Sequence, residues 1–382
     1  MDKHLPPYIL LANRLRERIV SDALPPGSWL GTEVALADEN GISRMTARRA
    51  VQVLVDDGLA ERQAGKGVFV RANDVAARRI CVVAGNLLWA PAVRVAQAVQ
   101  EGAPAAGLGV SVFDGRGDLE AVLAELRALP GSGAAGAIVM SQHDPAFNRA
   151  LAALVAADFP FVVVDQTLSD LPGASVASDN RAGGRLAATA LLAAGHRRLA
   201  FLGDLAADTT AERAQGAADA CAAALVPPPL RLDIPGQRFE DWEPAIRERI
   251  DEMLRARPRP TAIVCSCDAV ARHAIRALAK LGVAVPRAMS VTGFDDDPIA
   301  EWGSPALTTV RQDFAEMGRR ALALLSERLV AGSAPRHEAV PVSLVRRETI
   351  APPPRPRHRV AACRVAAPAA TRRLKELKRL KS

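Results

Sequence analysis

Residues 32–70 read TEVALADENGISRMTARRAVQVLVDDGLAERQAGKGVFV. Thr32 followed by Glu33 is a helix start, and the turn dipeptide Asn40-Gly41 is a stop, so the opening stretch predicts a helix. Ser43 is a good N-cap for a second helix. In it, Ala47, Ala50, Val51 and Leu54 recur at helical spacing as one apolar stripe. Met45, Arg49 and Gln52 point the other way, Arg44 and Arg48 lie one turn apart on a flank, and Gly58 supplies the stop. Two helices joined by a tight turn, the second basic at its N-terminal end, make a helix-turn-helix. Leu59 to Val70 then reads as strand, Gly65-Lys66-Gly67 turn, strand. Such a hairpin is a wing: its glycines permit close backbone approach, and Lys66 can meet a phosphate or the minor groove. A basic helix end by itself is more simply a solvated surface. Turn, cap and wing in this order favour a DNA reader.

The remaining sequence sets the setting. A chain of 382 residues, 49% hydrophobic and 24% charged, is long enough for two or three domains and mostly globular. No apolar run approaches the ~20 residues that span a bilayer. The N-terminal residues reach arginines before any long apolar stretch, so a cytoplasmic chain without secretory signal or membrane contact is expected. Five cysteines at irregular spacing argue against a disulfide framework, and the CSC of Cys265 to Cys267 is too tight for a zinc ribbon. No metal or cofactor is expected. The formal charge of +7 misleads: Arg355 to Ser382 holds ten Lys/Arg and one Glu, a net of +9, leaving about −2 for the rest. Local arrangement, not bulk charge, carries the DNA argument.

From Arg79 to about Ile350 one rhythm repeats. RICVVAG, GVSVFD, GAIVM, FVVVD, RLAFLG, TAIVCS and MSVTGF are apolar runs separated by helical patterns. Continuous β-branched runs of this kind imply parallel sheets with helices on both faces. About 270 residues exceed one small open sheet, so two lobes are expected. Ligands of such folds lie beyond the carboxyl ends of strands. There the sequence places Gly85 and Asn86, Asp114, Ser141, Asp165, Cys267 and Asp268, and Asp295.

Two resemblances sharpen this reading. LRERIVSDALPPGSWLGTEVALADENGISRMTARRAVQVLVDDGLAERQAGKGVFV resembles the GntR family of winged-helix regulators. The resemblance implies operator contacts from the recognition helix and wing, here Arg44, Met45, Thr46, Arg48 and Gly65, Lys66 and Gly67; Thr32, Ser43 and Arg49 are expected beside them on the DNA-binding side. One departure stands out: Val34 occupies a position that is usually basic. SDNRAGGRLAATALLAAGHRRLAFLGD (178–204) and GFDDDPIAEWGSPALTTVRQD (293–313) resemble the effector domain of LacI/GalR-type regulators, related to periplasmic sugar-binding proteins. That resemblance implies a pocket in which Arg213 grips hydroxyls, Asp295 and Asp165 accept hydrogen bonds, and Trp242 covers a sugar ring. Asn86 and Cys267 complete the set, with Cys267 standing where a polar residue is usual.

The expected architecture is an N-terminal winged helix-turn-helix (1–71), a linker (72–78), an α/β two-lobed periplasmic-binding-protein-like domain (79–350) and a disordered basic tail (351–382). The expected function is that of a repressor: a homodimer on double-stranded operator DNA, controlled by a small-molecule effector, a sugar. An aminotransferase-like enzyme is the rival class. It needs a Schiff-base lysine, and between Lys66 and Lys375 only Lys280 is available, in a helix reading as exposed. A transport-type binding protein fits neither the winged helix nor the N-terminal residues.

Overall fold

The computed structural model describes residues 6–354, apart from 22–23, 25–26, 57–58, 71–78, 143, 169–170, 235–238 and 332. The Gly58 stop, the linker 72–78 and the tail from 355 onward lie outside the described residues.

At the N-terminal end, helices α1 (Pro7–Ser21), α2 (Glu33–Asn40) and α3 (Arg44–Asp56) adjoin a small antiparallel sheet. Its strands β1 (Trp29–Gly31), β2 (Ala60–Gln63) and β3 (Gly67–Val70) run in the order β1-β3-β2. The caps are local chemistry. Thr32 Oγ1 accepts from the Ala35 amide at 3.1 Å, and Gly41 closes α2 at φ +62°. Ser43 Oγ accepts from the Thr46 amide at 3.1 Å. The stripe Ala47, Ala50, Val51 and Leu54 is buried against Leu11, Leu15, Leu36 and Val68.

The larger part has two parallel sheets. The first joins β4 (Arg79–Ala84), β5 (Gly109–Asp114), β6 (Gly136–Met140), β7 (Phe161–Val164), β8 (Ala174–Ser178) and β14 (His337–Val340), in the order β14-β8-β7-β6-β4-β5. Side chains alternate across a strand. Thus Ile80, Val82 and Ala84 pack with α4 (Ala90–Gly102) and α11 (Phe314–Ala331), while Cys81 and Val83 pack with α5 (Leu119–Ala128) and α6 (Pro145–Ala156). The second sheet has the order β10-β9-β11-β12, from β9 (Leu199–Gly203), β10 (Leu230–Asp233), β11 (Ala262–Cys265) and β12 (Ser290–Thr292). One face carries α7 (Asn180–Ala193) and α8 (Asp208–Ala223), the other α9 (Phe239–Arg255) and α10 (Asp268–Lys280).

The chain passes between lobes after β8, after β13 (Thr309–Arg311) into α11, and between β14 and β15 (Ser343–Val345). Strands β13 and β15 pair antiparallel at this hinge. Asp296 locks it, accepting from Arg311 Nε and Arg347 Nη2, each at 2.7 Å. Packing continues past 350. Buried His196 meets the Ala351 carbonyl through Nε2 at 2.9 Å, and the Ala351 amide donates to Ser290 Oγ at 3.1 Å.

Candidate functional site

Two surfaces carry chemistry. On α3 the buried residues fix one side, and at about 100° per residue Met45 stands diametrically opposite them. Arg44, Met45, Arg48 and Arg49 are exposed. The Arg49 guanidinium lies 4.3 Å from the Tyr8 ring centroid. Gln52, in contrast, is engaged within the protein. Its Nε2 donates to Asp56 Oδ1 at 2.6 Å, and its Oε1 accepts from Arg62 Nη1 at 2.6 Å. Arg62 also donates to Glu33 Oε1 at 3.1 Å and to the Arg48 carbonyl at 3.1 Å, so one β2 side chain ties the wing to both helices.

The wing turn is held by shape. Gly65 and Gly67 have φ of +73° and +115°, and a Cβ on Gly67 would stand 2.8 Å from the Gly31 carbonyl oxygen. Trp29 Nε1 donates to the Lys66 carbonyl at 3.2 Å, leaving the Lys66 side chain exposed. Thr32, Ser43 and Thr46 are joined to the helix starts by their hydroxyls. Val34 is 48% exposed in the first turn of α2.

The second surface lies at the carboxyl ends of the strands. Arg213 on α8 is only 5% exposed. Its Nε donates to Asn180 Oδ1 at 2.7 Å, and its Nη1 donates to the Ser266 carbonyl at 2.7 Å and stands 3.9 Å from Asp295 Oδ1. The guanidinium carbon lies 3.8 Å from the Phe294 ring centroid. A buried charge needs such partners to be tolerated. Asp295 also accepts from Gln312 Nε2 at 2.7 Å. Burial drives its pKa well above the carboxylate range, Arg213 opposing, while Asp268 and the first-lobe Asp165 add like charge. Asp165 at the end of β7 is thus near enough to add like charge to Asp295, which stands 3.9 Å from Arg213.

Asp165 and Asp295 have φ of +66° and +115°. Left-handed backbone at non-glycine residues costs roughly 1–3 kcal/mol and gathers at functional sites. Asp268 does not act as a helix cap. Its Oδ1 accepts from Thr309 Oγ1 at 2.5 Å and its Oδ2 from the Asp297 amide at 2.9 Å, fixing the loop that presents Asp295. Burial, with Asp296 and Asp297 near, raises Asp268 to about 7.

The remaining expected residues make other contacts, with Cys267 close enough to Asp295 and Arg213 to feel both charges. Asn86 Oδ1 accepts from the Leu88 amide at 2.8 Å, shaping the turn after β4. Trp242 packs on the apolar cluster of Ile246, Ile250 and Leu232, and Cys267 packs partly on the same cluster. Desolvation, with Asp295 adding, holds the Cys267 thiol at about 12. Lys280 makes an exposed ion pair with Glu243 at 2.7 Å. Sequence reasoning missed Ser266, Phe294 and Gln312 as supports of the Arg213–Asp295 pair. It also missed Glu212, whose carboxyl is raised by burial beside Asn180.

Both domains have counterparts among known proteins. Residues 8–70 match the model for bacterial regulatory proteins of the gntR family, and residues 188–350 match the periplasmic binding protein-like domain. The ribose operon repressor of Haemophilus influenzae is 31% identical over 176 residues, 46% of this chain and 52% of that protein. The PurR transcriptional repressor of Photorhabdus laumondii is 36% identical over 178 residues, 45% and 50% respectively. The chain thus spans about half the length of the curated relatives it matches. A LacI family transcriptional regulator from Mycobacterium smegmatis superposes with a TM-score of 0.64 at 26% identity, covering 72% of this chain and 99% of that one. Among the described residues no helix is long and apolar enough to cross a membrane.

Proposed function

We propose that this chain, in which a GntR-type DNA-binding domain is joined to a periplasmic-binding-protein-like domain, is a transcriptional repressor. A polar small molecule, a sugar, bound between the lobes controls its operator affinity. The observation that carries the reading is a pairing within one chain. One end exposes Arg44, Arg48 and Lys66 on a helix and wing, and the other buries Arg213 beside Asp295 at the strand ends.

The chemistry suits a polyhydroxyl ligand. An ionised carboxylate accepts hydrogen bonds, a carboxyl kept protonated by burial, as at Asp295, can also donate one, and a guanidinium only donates, in a fixed planar fork. Asp165 on the first lobe and Asp295 with Arg213 on the second would hold opposite sides of a ligand as the cleft closes. On the DNA side, Arg44 and Arg48 would reach base edges or phosphates, and Lys66, with Gly65 and Gly67, would bring the wing against the backbone. Thr32, Ser43 and Thr46 hold the helix starts that meet phosphate. Two copies of the chain would present paired winged helices to a two-fold operator in the cytoplasm. Ligand closure changes that spacing, and a coupling of about 1–3 kcal/mol corresponds to a 5–150-fold change in DNA affinity.

The test is selection of duplexes from a random pool, followed by mobility shifts. Arg44→Ala or Arg48→Ala should weaken the selected duplex by about 1–3 kcal/mol if the lost contact is bidentate to guanine. Lys66→Ala should weaken selected and random DNA alike and flatten the salt dependence. Unchanged binding in all three variants would end the assignment.

A further inference from the structure

We infer that Met45 reads the C5 methyl group of thymine in the major groove, a base-specific role that rests on the DNA-binding reading above. Met45 stands opposite the buried face of α3 and is 71% exposed. The side facing away from the core is the side a recognition helix places against base edges. Around Met45 the possible readers are already sorted. Gln52 is engaged with Arg62 and Asp56, and Arg49 stacks on Tyr8. Ser43 and Thr46 share a hydroxyl contact of 2.8 Å at the helix start.

A single exposed apolar side chain is ordinary on a protein surface. Met45 differs in standing among Arg44, Arg48 and Arg49, all exposed, on a face whose charge complements nucleic acid. It borders a groove with Pro6, Pro7 and Tyr8, yet most of its surface stays open. A thioether is at best a weak acceptor, so Met45 cannot read the donor–acceptor code of the groove. The one apolar feature on a major-groove base edge is the thymine methyl. A flexible, polarizable side chain fits such a small apolar projection.

The experiment uses the full chain and a synthetic, unmodified random pool, in which thymine is the only source of a C5 methyl. The best selected duplex is rebuilt with each dT replaced in turn by dU, which removes the methyl and leaves pairing intact. At one position per half-site, dU should weaken the wild-type protein roughly fourfold, the value of one buried methyl. The same replacement should leave Met45→Ala unchanged, with the variant's melting temperature equal to wild type. Equal dU effects in wild type and Met45→Ala at every position would overturn the inference while leaving DNA binding intact. A pool that yields no enriched duplex would overturn the DNA-binding reading itself, and this inference with it.

Discussion

Asp268 and His196 are buried side chains whose surroundings push their ionisation in opposite senses for stability. Asp268 titrates at about 7 in the fold, against 3.8 ordinarily, because it is desolvated beside Asp296 and Asp297. The folded state therefore keeps a proton that the unfolded chain releases. This contribution is full below the ordinary value and is lost as pH rises toward about 7. His196 is lowered by burial, so the unfolded chain takes up its proton first and stability is lost as pH falls below the ordinary 6.5. The expected outcome is that Asp268→Asn gains stability relative to wild type between about pH 5 and about pH 8, read as denaturation midpoints. A flat difference across that window would remove Asp268 from the balance. At this scale the sequence singles out Asp165 and Asp295 by their places at strand ends, and Arg213, on a helix, only through the resemblance to LacI/GalR-type effector domains. Asn180, Ser266 and Gln312 were not legible: each acts by holding Arg213 or Asp295, whose elements meet only after folding.

At the scale of elements, α7 and α8 position the cleft by backbone contact. A Cβ on Gly184 would lie 1.9 Å from the Arg213 carbonyl oxygen, and one on Gly216 would lie 1.9 Å from that of Arg181. The two glycines are reciprocal, and they bring Arg213 within reach of Asn180. Gly216→Ala forces helices apart that cannot yield locally, at a cost of about 3 kcal/mol or more. A large fall in melting temperature with weakened ligand response is expected; a variant as stable as wild type would contradict this packing. The strands rich in Val, Ile and Phe were plain in the sequence. Strand β8, ASVAS, was not, because alanine and serine carry little strand signal. The hinge strands β13 and β15 are three residues each, too short for a period, and β1 is likewise visible only once paired with β3.

Across the whole molecule, where the body ends bears on the basic C-terminal segment. Reading the domain as 79–350 leaves out Ala351, whose backbone is bonded to Ser290 and His196. Truncation after Pro354 should leave the melting temperature nearly unchanged and lower affinity for random DNA, since residues 355–382 carry a net +9. Truncation after Ile350 should cost a further ~1–3 kcal/mol from the lost hydrogen bonds of Ala351 to His196 and Ser290. Equal melting temperatures for the two truncations would show those bonds to be dispensable. The central claim is that ligand at the Arg213–Asp295 cleft is coupled to operator affinity. Coupling requires differential binding, so a protein that cannot hold ligand cannot shift. The most direct measurement is operator affinity with and without saturating amounts of the sugar that most raises the melting temperature. The expected result is a change of at least about fivefold in wild type, and none in an Arg213→Ala variant that still binds operator. An identical operator affinity in wild type, with the sugar demonstrably bound, would contradict it.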